Sequence, residues 1–232
     1  MADNNDFAMG YAMGQDSGGG SGGGDENLKN FIEGDFPEGF TFPDGVTFIR
    51  IHAFSYASFL SELSLPDSVV EIKSRAFDYS SLISISGNNV SAVGGYVFNR
   101  NSNLLSANFP NLINLGDYAF YYCQKLTDVD VKNIAGISSY AFAFCTSLTK
   151  IDLHKCTAIL SSAFHNASKL ETVIIRTNKV CSLQSTNIFN STPIASKTGY
   201  IYVPDDLVES YKSATNWSTY ASQIKGLSEL VE

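Results

Sequence analysis

The sequence predicts a repeat solenoid of short parallel β-strands, mostly strand and turn, with a small α-helical cap at its C-terminal end. Two observations predict this fold. Seven phenylalanines recur at steps of 21 to 25 residues, and a leucine follows most of them at a fixed distance. A fixed period of this size is typical of solenoids, in which each unit buries its apolar face against its neighbours. The phenylalanines are Phe54, Phe77, Phe98, Phe120, Phe142, Phe164 and Phe189, and the leucines are Leu60, Leu82, Leu104, Leu126, Leu148 and Leu170.

Each repeat contains an alternating segment after its leucine. In the repeat that begins at Phe142, the apolar residues Ile151 and Leu153 alternate with polar ones, which is the period of a strand with one buried face. Successive strands should therefore pair in parallel. A further apolar residue precedes the next phenylalanine, and the segment around it is too short for a long helix, so it predicts a second short strand or an extended turn. These residues are Ile72, Val93, Leu115, Ile137 and Leu160.

Residues 1–24 differ from the rest of the chain. They contain eight of the 18 glycines and no Lys or Arg, a composition that favours a flexible leader over a packed segment. They lack the basic and apolar regions of a secretory signal. Phe7, Met9, Tyr11 and Met13 alternate with small or polar residues, so a docking peptide is the alternative. Such a peptide would anchor the protein through a virion or a homo-oligomer contact.

The remaining chain divides into three parts, which are an N-terminal cap at 25–49, about six to seven repeats of about 22 residues at 50–198, and a C-terminal strand and helical cap at 199–232. We expect the final strand around 200–203. Pro204 and Asp205 favour a helix start directly after it. A second short helix is predicted, with Trp217 and Ile224 on its apolar side.

Composition excludes several classes of function. The chain has 232 residues and 44% hydrophobic content, which is enough to bury a core. Its formal net charge of -8 argues against nucleic acid or anionic lipid as partner. No apolar run approaches the roughly 20 residues of a membrane helix, so no membrane insertion is expected. The three histidines lie in different registers, and GxSxG, HExxH and P-loop motifs are absent. We therefore expect no catalytic residues, no metal and no cofactor.

The four cysteines form no CxxC motif. Cys123 and Cys145 occupy the same place in consecutive repeats, where other repeats have alanine, so we interpret them as small buried hydrophobes. A disulfide is the alternative because adjacent coils lie about 4.8 Å apart, although side chains that point the same way make poor bridge geometry. Cys156 and Cys181 have no evident partner in the sequence.

The recurring pattern AFxxCxxLTxIxL, found at 119–131 and 141–153, resembles the BspA-type leucine-rich repeat over about two-thirds of the chain. The resemblance implies a curved solenoid of parallel strands on bacterial or protist surfaces, or on phage virions, that adheres to or binds proteins without catalysis. That family has no shared catalytic motif to carry over. The C-terminal segment from Tyr200 resembles one that closes such arrays in gut bacteria and their phages. The leader FAMGYAMGQD resembles leaders of phage-associated proteins.

The exposed strand face contains one charged region. Asp130 and Asp152 should stack about 5 Å apart, at one strand spacing, beside a basic row. One interpretation is a solvated ladder of mutually compensated charges; the other is a polar docking patch. Nearby cations disfavour calcium there. The patch consists of Asp128, Asp130, Lys132, Asp152, His154 and Arg176. Ile174 is expected on the same exposed face.

Aromatic residues also recur two positions from the repeat phenylalanines. They are Tyr56, Tyr79, Tyr122 and Phe144 after the phenylalanine, and Tyr96, Tyr118 and Tyr140 before it. One interpretation is packing within the turns. The other is a contact surface, which would also suit carbohydrate stacking.

Three functions remain open from the sequence. The favoured one is a non-enzymatic, phage-associated (virion or tail) host-recognition component that binds a protein or glycan on a cell surface. A secreted or cell-surface bacterial adhesin that binds host proteins or glycans is the alternative, and a structural spacer is another. The expected location is accordingly a virion, the extracellular space or a cell surface, with no signal peptide visible in the chain.

Overall fold

The computed structural model describes residues 42, 45–58 and 60–231. The leader at 1–24 and most of the predicted cap at 25–49 lie outside these described residues. The chain winds into successive coils, each with up to two short strands, and the strands form two rows along the solenoid. The first strand row contains β2 (Glu62–Ser64), β4 (Ser84–Ser86), β6 (Ser106–Asn108), β8 (Asp128–Val129), β10 (Lys150–Leu153), β12 (Thr172–Ile175), β14 (Tyr200–Val203) and β15 (Ile224–Gly226). The second strand row contains β1 (Phe48–Ile49), β3 (Glu71–Ile72), β5 (Ala92–Val93), β7 (Asn114–Leu115), β9 (Gly136–Ile137), β11 (Ala158–Ile159) and β13 (Ser182–Leu183).

The repeat phenylalanines form one continuous ladder through the core. All seven are buried, and consecutive rings are stacked with centroids 5.0–5.7 Å apart and interplanar angles of at most 17°. Offset stacking at such distances adds to the free energy gained from burying the rings. The six leucines that follow the phenylalanines are also buried. The repeat predicted from the sequence is therefore confirmed.

Each phenylalanine lies in a turn whose backbone repeats from coil to coil. From Phe54 to Phe164, its N–H donates a hydrogen bond of 2.7–3.1 Å to the carbonyl of the residue before the next phenylalanine. The residues two positions before and two positions after it adopt φ between +56° and +62° in every repeat from Phe54 to Phe164. This left-handed conformation is uncommon for residues other than glycine. The turn therefore holds its flanking side chains, tyrosines among them, in fixed directions.

Strand pairing follows the predicted register, with two interruptions. The strands of the first row pair in parallel from β2 to β8 and again from β10 to β14, but β8 and β10 do not pair. The second row is likewise interrupted between β7 and β9. The prediction that all successive strands pair is thus wrong on either side of the repeat that begins at Phe120. Its β8 belongs to the N-terminal sheet and its β9 to the C-terminal one.

A local hydrogen bond explains why β8 ends early. The Asp130 side chain accepts the N–H of Lys132, two residues further on, at 3.2 Å. This contact is typical of an Asx turn, which offers the backbone an alternative to the strand ladder. The equivalent Asp152 instead binds Arg176 across the ladder between β10 and β12, and β10 runs for four residues.

The C-terminal cap follows the prediction in part. The final repeat strand is β14, as expected. A 3₁₀ turn (Asp205–Leu207) leads into the helix α1 (Val208–Ser213), and a further 3₁₀ segment covers Trp217–Gln223. Ile224 was predicted on this second helix, but it begins β15, which pairs with β14 in parallel and is followed by a 3₁₀ turn at Leu227–Glu229.

One smaller correction concerns the second strand row. The apolar residue predicted there in the Phe142 repeat was Leu160, but the structure places Ile159 in β11 and buries it, while Leu160 is only half-buried. The sequence contains both residues side by side, so the short apolar run could not distinguish them. The other four residues named for this row lie in their strands as expected.

Candidate ligand-binding surface

A cavity of about 410 Å³ opens on the first strand row where β8 and β10 fail to pair. Its walls come from the end of β8 and the Asx turn on one side, and from the start of β10 on the other. The lining residues are Asn108, Thr127, Asp128, Val129, Asp130, Lys132, Lys150, Ile151 and Asp152. The cavity is therefore mostly polar and contains carboxylates, amines and an amide.

Unpaired backbone groups also face this interruption. Elsewhere in the row, each strand donates to the one before it: the Thr127 N–H, for example, binds the Leu105 carbonyl at 3.0 Å. Within the part of the chain that the structure describes, no such bond joins the backbones of 149–152 and 127–129. Backbone bonding between the two coils on this face resumes where the His154 N–H binds the Lys132 carbonyl at 3.1 Å. The carbonyls of 127 and 129 therefore have no backbone donor.

The charged side chains around the cavity are partly compensated. Lys132 Nζ lies 3.5 Å from Asp130. Arg176 binds Asp152 through both Nε and Nη2, at 2.9–3.2 Å, and His154 Nε2 lies 3.4 Å from the same carboxylate. The carboxylates of Asp130 and Asp152 are therefore largely compensated by these basic side chains. A charged ligand would bind more readily to cavity residues that form no ion pair within the described ranges.

Asp128 and Lys150 are those residues. Both are exposed and line the cavity, and neither forms an ion pair within the described ranges. They lie at the same repeat position, one on each side of the interruption. The cavity thus presents a free carboxylate and a free ammonium group that a ligand can bind.

The structure brings the predicted patch residues together, but in a different arrangement from the one expected. Four of them line the cavity, and the other two, His154 and Arg176, contact it through Asp152. The expected stack of Asp130 on Asp152 requires β8 to pair with β10, and these strands do not pair. Within the described ranges, no group of three His, Cys, Asp or Glu side chains is placed to hold a metal ion.

Sequence reasoning missed some of the cavity and misplaced one residue. Asn108 and Lys150 line it, and their positions on the exposed strand face were the signal that could have found them. Ile174, which was predicted to be exposed, is fully buried. Its cross-strand neighbours are Asp152, held by Arg176, and Tyr202.

The aromatic side chains beside the ladder stack on one another outside the core. Tyr118 lies between Tyr96 and Tyr140, with ring centroids 4.6 and 4.8 Å away. On the other side of the turn, Tyr122 stacks on Phe144 at 4.2 Å. Ring faces inside these rows are occupied by neighbouring rings, so a sugar cannot stack on them. The packing interpretation accounts for these rings.

One arginine and one further tyrosine complete these aromatic rows. The Arg100 guanidinium lies between the rings of Tyr79 and Tyr122, 5.5 and 4.9 Å from their centroids, which is a cation–π arrangement. Tyr121 is inserted edge-on between the two rows, 5.2 Å from Tyr118 and 4.7 Å from Tyr122. Burial and the neighbouring phenols raise the pKa of both Tyr118 and Tyr121.

The two interrupted strand rows, the phenylalanine ladder and the repeated turn define a leucine-rich repeat solenoid. A family model described as "BspA type Leucine rich repeat region" matches residues 30–133 and 91–209 in six copies. The chain belongs to this family, as the sequence pattern predicted. A search of the curated proteins finds no match, and no helix in the described ranges is long and apolar enough to cross a membrane.

Solved structures of similar proteins include three bacterial chains. A leucine rich cell surface protein from Faecalibacterium prausnitzii A2-165 is 21% identical over 80% of this chain, with a TM-score of 0.43. The pneumococcal vaccine antigen PcpA is 17% identical over 78%, with a TM-score of 0.46. A leucine-rich repeat protein from Bacteroides ovatus is 17% identical over 68%, with a TM-score of 0.34. The matches span 62%, 58% and 59% of those chains.

Proposed function

We propose that this protein is a non-enzymatic binding protein, and that it binds an extended segment of a protein on a cell surface at the cavity between β8 and β10. The observation that carries the proposal is the interrupted ladder. The carbonyls of 127 and 129 lack backbone donors there, and a polypeptide backbone supplies N–H groups at strand spacing. Asp128 and Lys150 provide a charge of each sign for the partner's side chains.

A protein partner is favoured over a glycan by the state of the aromatic rings. Carbohydrate recognition by aromatic residues uses an open ring face. The faces of Tyr118 are occupied by Tyr96 and Tyr140, and those of Tyr122 by Phe144 and the Arg100 guanidinium. The edges of these rings and their hydroxyl groups are better suited to hydrogen bonds with a protein surface.

For the biological setting, we propose a phage-associated host-recognition component, with 1–24 as its anchor, 25–49 as the N-terminal cap, 50–198 as the repeats and 199–232 as the C-terminal cap. The resemblance of the leader and of the C-terminal segment to phage-associated proteins supports this setting. A bacterial surface adhesin is the second candidate, because the BspA-type repeat resemblance implies proteins on bacterial surfaces as well as on virions.

The setting is tested by binding of the purified protein to intact gut-bacterial cells and to virion proteins, with and without 1–24. We expect cell binding to persist without the leader and virion or self-association to require it. Absence of cell binding by both forms, with association lost on truncation, would support a structural role instead. Cell binding with no leader-dependent association would favour the adhesin.

The site is tested by Asp128→Lys, with Glu62→Lys as the matched control. Both residues are exposed and occupy the same repeat position in the first strand row, joined through Ser84 and Ser106 by the register, and both substitutions change the charge by the same amount. We expect Asp128→Lys to weaken cell binding at least tenfold and Glu62→Lys to leave it unchanged. Equal binding by the two variants would exclude the cavity as the site.

A second variant tests the predicted patch more broadly. Charge reversal at both Asp130 and Asp152 should also weaken partner binding, because it removes the carboxylates that hold Lys132 and Arg176 at the rim of the cavity. Circular dichroism should show that the variant remains folded, since the core is unchanged. Binding that survives this double reversal would contradict the patch.

A further inference from the structure

We propose that Cys156 and Cys181 form a structural disulfide that locks the C-terminal cap to the repeats when the protein folds in the presence of a small-molecule disulfide. Their Sγ atoms lie 3.9 Å apart, in van der Waals contact. Both residues are fully buried; Cys156 lies two residues before the second-row strand β11 and Cys181 directly before β13. The repeat pattern did not indicate this pair, because 25 residues separate the two cysteines and the repeat is about 22 residues long.

The register explains why these two thiols meet. Ala158 pairs with Ser182 across β11 and β13. Cys156 lies two residues before Ala158, whereas Cys181 lies only one residue before Ser182. The two side chains are therefore offset along neighbouring strands, and neither lies directly above the other. An offset of this kind lets their Cβ–Sγ bonds converge, as a disulfide requires.

The other two cysteines provide an internal comparison. Cys123 and Cys145 occupy the same position in consecutive repeats and are equally buried. Each thiol donates to a backbone carbonyl of the preceding repeat: Cys123 to Phe98 at 3.0 Å and Cys145 to Phe120 at 3.1 Å. Both thiols therefore point the same way along the solenoid, each at a carbonyl and not at the other thiol, which is poor geometry for a bridge, so they should stay reduced under the same conditions.

Oxidised glutathione would oxidise the pair through two successive thiol–disulfide exchanges. The hydrogen bond from the Cys181 thiol lowers the pKa of the Cys156 thiol, whereas burial raises the pKa of Cys123 and Cys145. Because both thiols are buried in the folded state, the exchange takes place while the chain folds: the Cys156 thiolate attacks one sulfur of oxidised glutathione and releases one glutathione thiolate. Cys181 then loses its proton and attacks the mixed disulfide at Cys156, which releases the second glutathione. Two thiols are oxidised, and one glutathione disulfide is reduced.

The position of Cys181 gives the disulfide its structural consequence. Its N–H donates to the Tyr211 hydroxyl at 2.8 Å, and its carbonyl accepts the Trp217 Nε1–H at 2.6 Å. The cap is therefore attached to the repeats at the backbone of this cysteine. A covalent bond to Cys156 closes the loop 156–181 and would reduce the conformational freedom of the unfolded chain.

The test refolds the full chain from the reduced, denatured state in a glutathione redox buffer. The product is then denatured and alkylated with iodoacetamide. We expect a monomer with two alkylated cysteines, and trypsin should release the peptides 156–169 and 180–197 as one disulfide-linked species. After reduction all four cysteines should be alkylated, and the melting temperature of the reduced protein should be lower by several degrees.

Matched variants distinguish this pair from the other. Cys156→Ser and Cys181→Ser should each restore three alkylated cysteines with no linked peptides, whereas Cys123→Ala and Cys145→Ala should each leave one alkylated cysteine and retain the link. Four alkylated cysteines after refolding of the unsubstituted chain would overturn the proposal. So would a link between the peptides that contain Cys123 and Cys145, or a product that is mainly a disulfide-linked dimer.

Discussion

The turns and the strand rows of this solenoid differ in how regularly they repeat along the chain. The phenylalanine ladder continues through every repeat, with no centroid separation above 5.7 Å. Both strand rows, in contrast, are interrupted beside the repeat that begins at Phe120. Cohesion along the axis therefore depends on the ladder and the turn hydrogen bonds, and the strand rows can change locally and open a cavity without dividing the molecule.

The two regions differ because their repeated contacts differ. Each turn is stabilised by stacked rings and by backbone hydrogen bonds that do not depend on side-chain identity. A strand of only two to four residues has few ladder hydrogen bonds to lose. One competing side chain, Asp130 in its Asx turn, is then enough to end β8.

The largest effect that tests this comparison is expected for Phe142→Ala. It removes a buried ring from the step at which β8 and β10 are not paired, and a truncated phenylalanine in a core typically costs about 3–5 kcal/mol of unfolding free energy. Because this step already lacks the pairing of β8 with β10 and keeps only the β9–β11 pairing among its strand contacts, we also expect unfolding in urea to separate into two transitions with a lower slope. Circular dichroism over a urea series measures both quantities.

Phe77→Ala is the matched control. Phe77 stacks between Phe54 and Phe98, in a region where both strand rows are continuous. It should cost a similar free energy but leave a single transition. A single transition for both variants would show that the interruptions do not weaken coupling between the halves, and a near-neutral Phe142→Ala would contradict the ladder.

The second effect concerns how closely the coils approach in the second strand row. A Cβ atom on Gly116 would lie 2.4 Å from the Gly95 nitrogen and 2.5 Å from the Gly94 carbonyl carbon. Gly116→Ala must therefore separate the backbones of two coils next to the interruption between β7 and β9. We expect it to cost about 1–3 kcal/mol, as overpacking does in cores, measured by urea denaturation.

The matched control for this substitution is Gly95→Ala. The Cβ atom there meets only the Asp117 carbonyl oxygen, at 3.2 Å, so a small shift accommodates it and the loss should be well below that of Gly116→Ala. Equal losses of unfolding free energy for the two variants would indicate that the coils separate easily in this row. The close approach of the backbones at Gly116 would then not be a constraint on the second strand row.

The sequence predicted the part of the structure that repeats. Phenylalanine spacing and strand alternation were sufficient to place the ladder, the first strand row and β14, because these depend on burial at fixed intervals. The early end of β8 involves a single side-chain hydrogen bond, from the Lys132 N–H to Asp130, that competes with a short strand ladder, and no repeat pattern reveals such a contact. The same is true of Cys181, whose offset arises where the repeat lengthens to 25 residues before Phe189. Ile224 was misplaced because it follows Trp217 and Tyr220 at helical spacing, whereas the 3₁₀ segment ends at Gln223 and Ile224 begins β15.

The site was predictable only as a region. Repeat positions on the exposed strand face indicated which charged residues lie near one another, although β8 and β10 do not pair in the expected register. Their pairings were not predictable, because the Arg176 side chain binds Asp152 on the neighbouring coil, whereas Lys132 binds Asp130 on its own coil. The unpaired state of Asp128 and Lys150 follows from these choices of partner.

The third effect tests the left-handed turn positions. Tyr118 has φ of +57°, a conformation that costs residues with a Cβ atom about 1 kcal/mol or more and glycine almost nothing. Tyr118→Gly should therefore be more stable than Tyr118→Ala by about 1 kcal/mol, because both lose the ring but only alanine retains the strain. Thermal denaturation of the two variants measures the difference.

The control for this pair is Thr127, an exposed position on the strand side that has no positive φ. There Thr127→Gly should be less stable than Thr127→Ala, since glycine loses more conformational freedom on folding. We therefore expect the glycine variant to be more stable than the alanine variant at 118 and less stable at 127. Glycine being the less stable at both positions would show that the turn does not impose its backbone on the residue.

The smallest effect concerns the charges on the strand face. Arg176 binds Asp152 through two nitrogens, but the two side chains remain 34% and 24% exposed, so solvent screens much of their attraction. Arg176→Gln should lower the free energy of unfolding by no more than about 0.2–1 kcal/mol, and the difference should shrink in about 0.5 M salt. Lys212→Gln, which removes the more exposed pair with Glu209, is the control and should have no measurable effect. A loss for Arg176→Gln as large as that for Phe142→Ala would mean that the strand face, and not the ladder, holds the C-terminal repeats together.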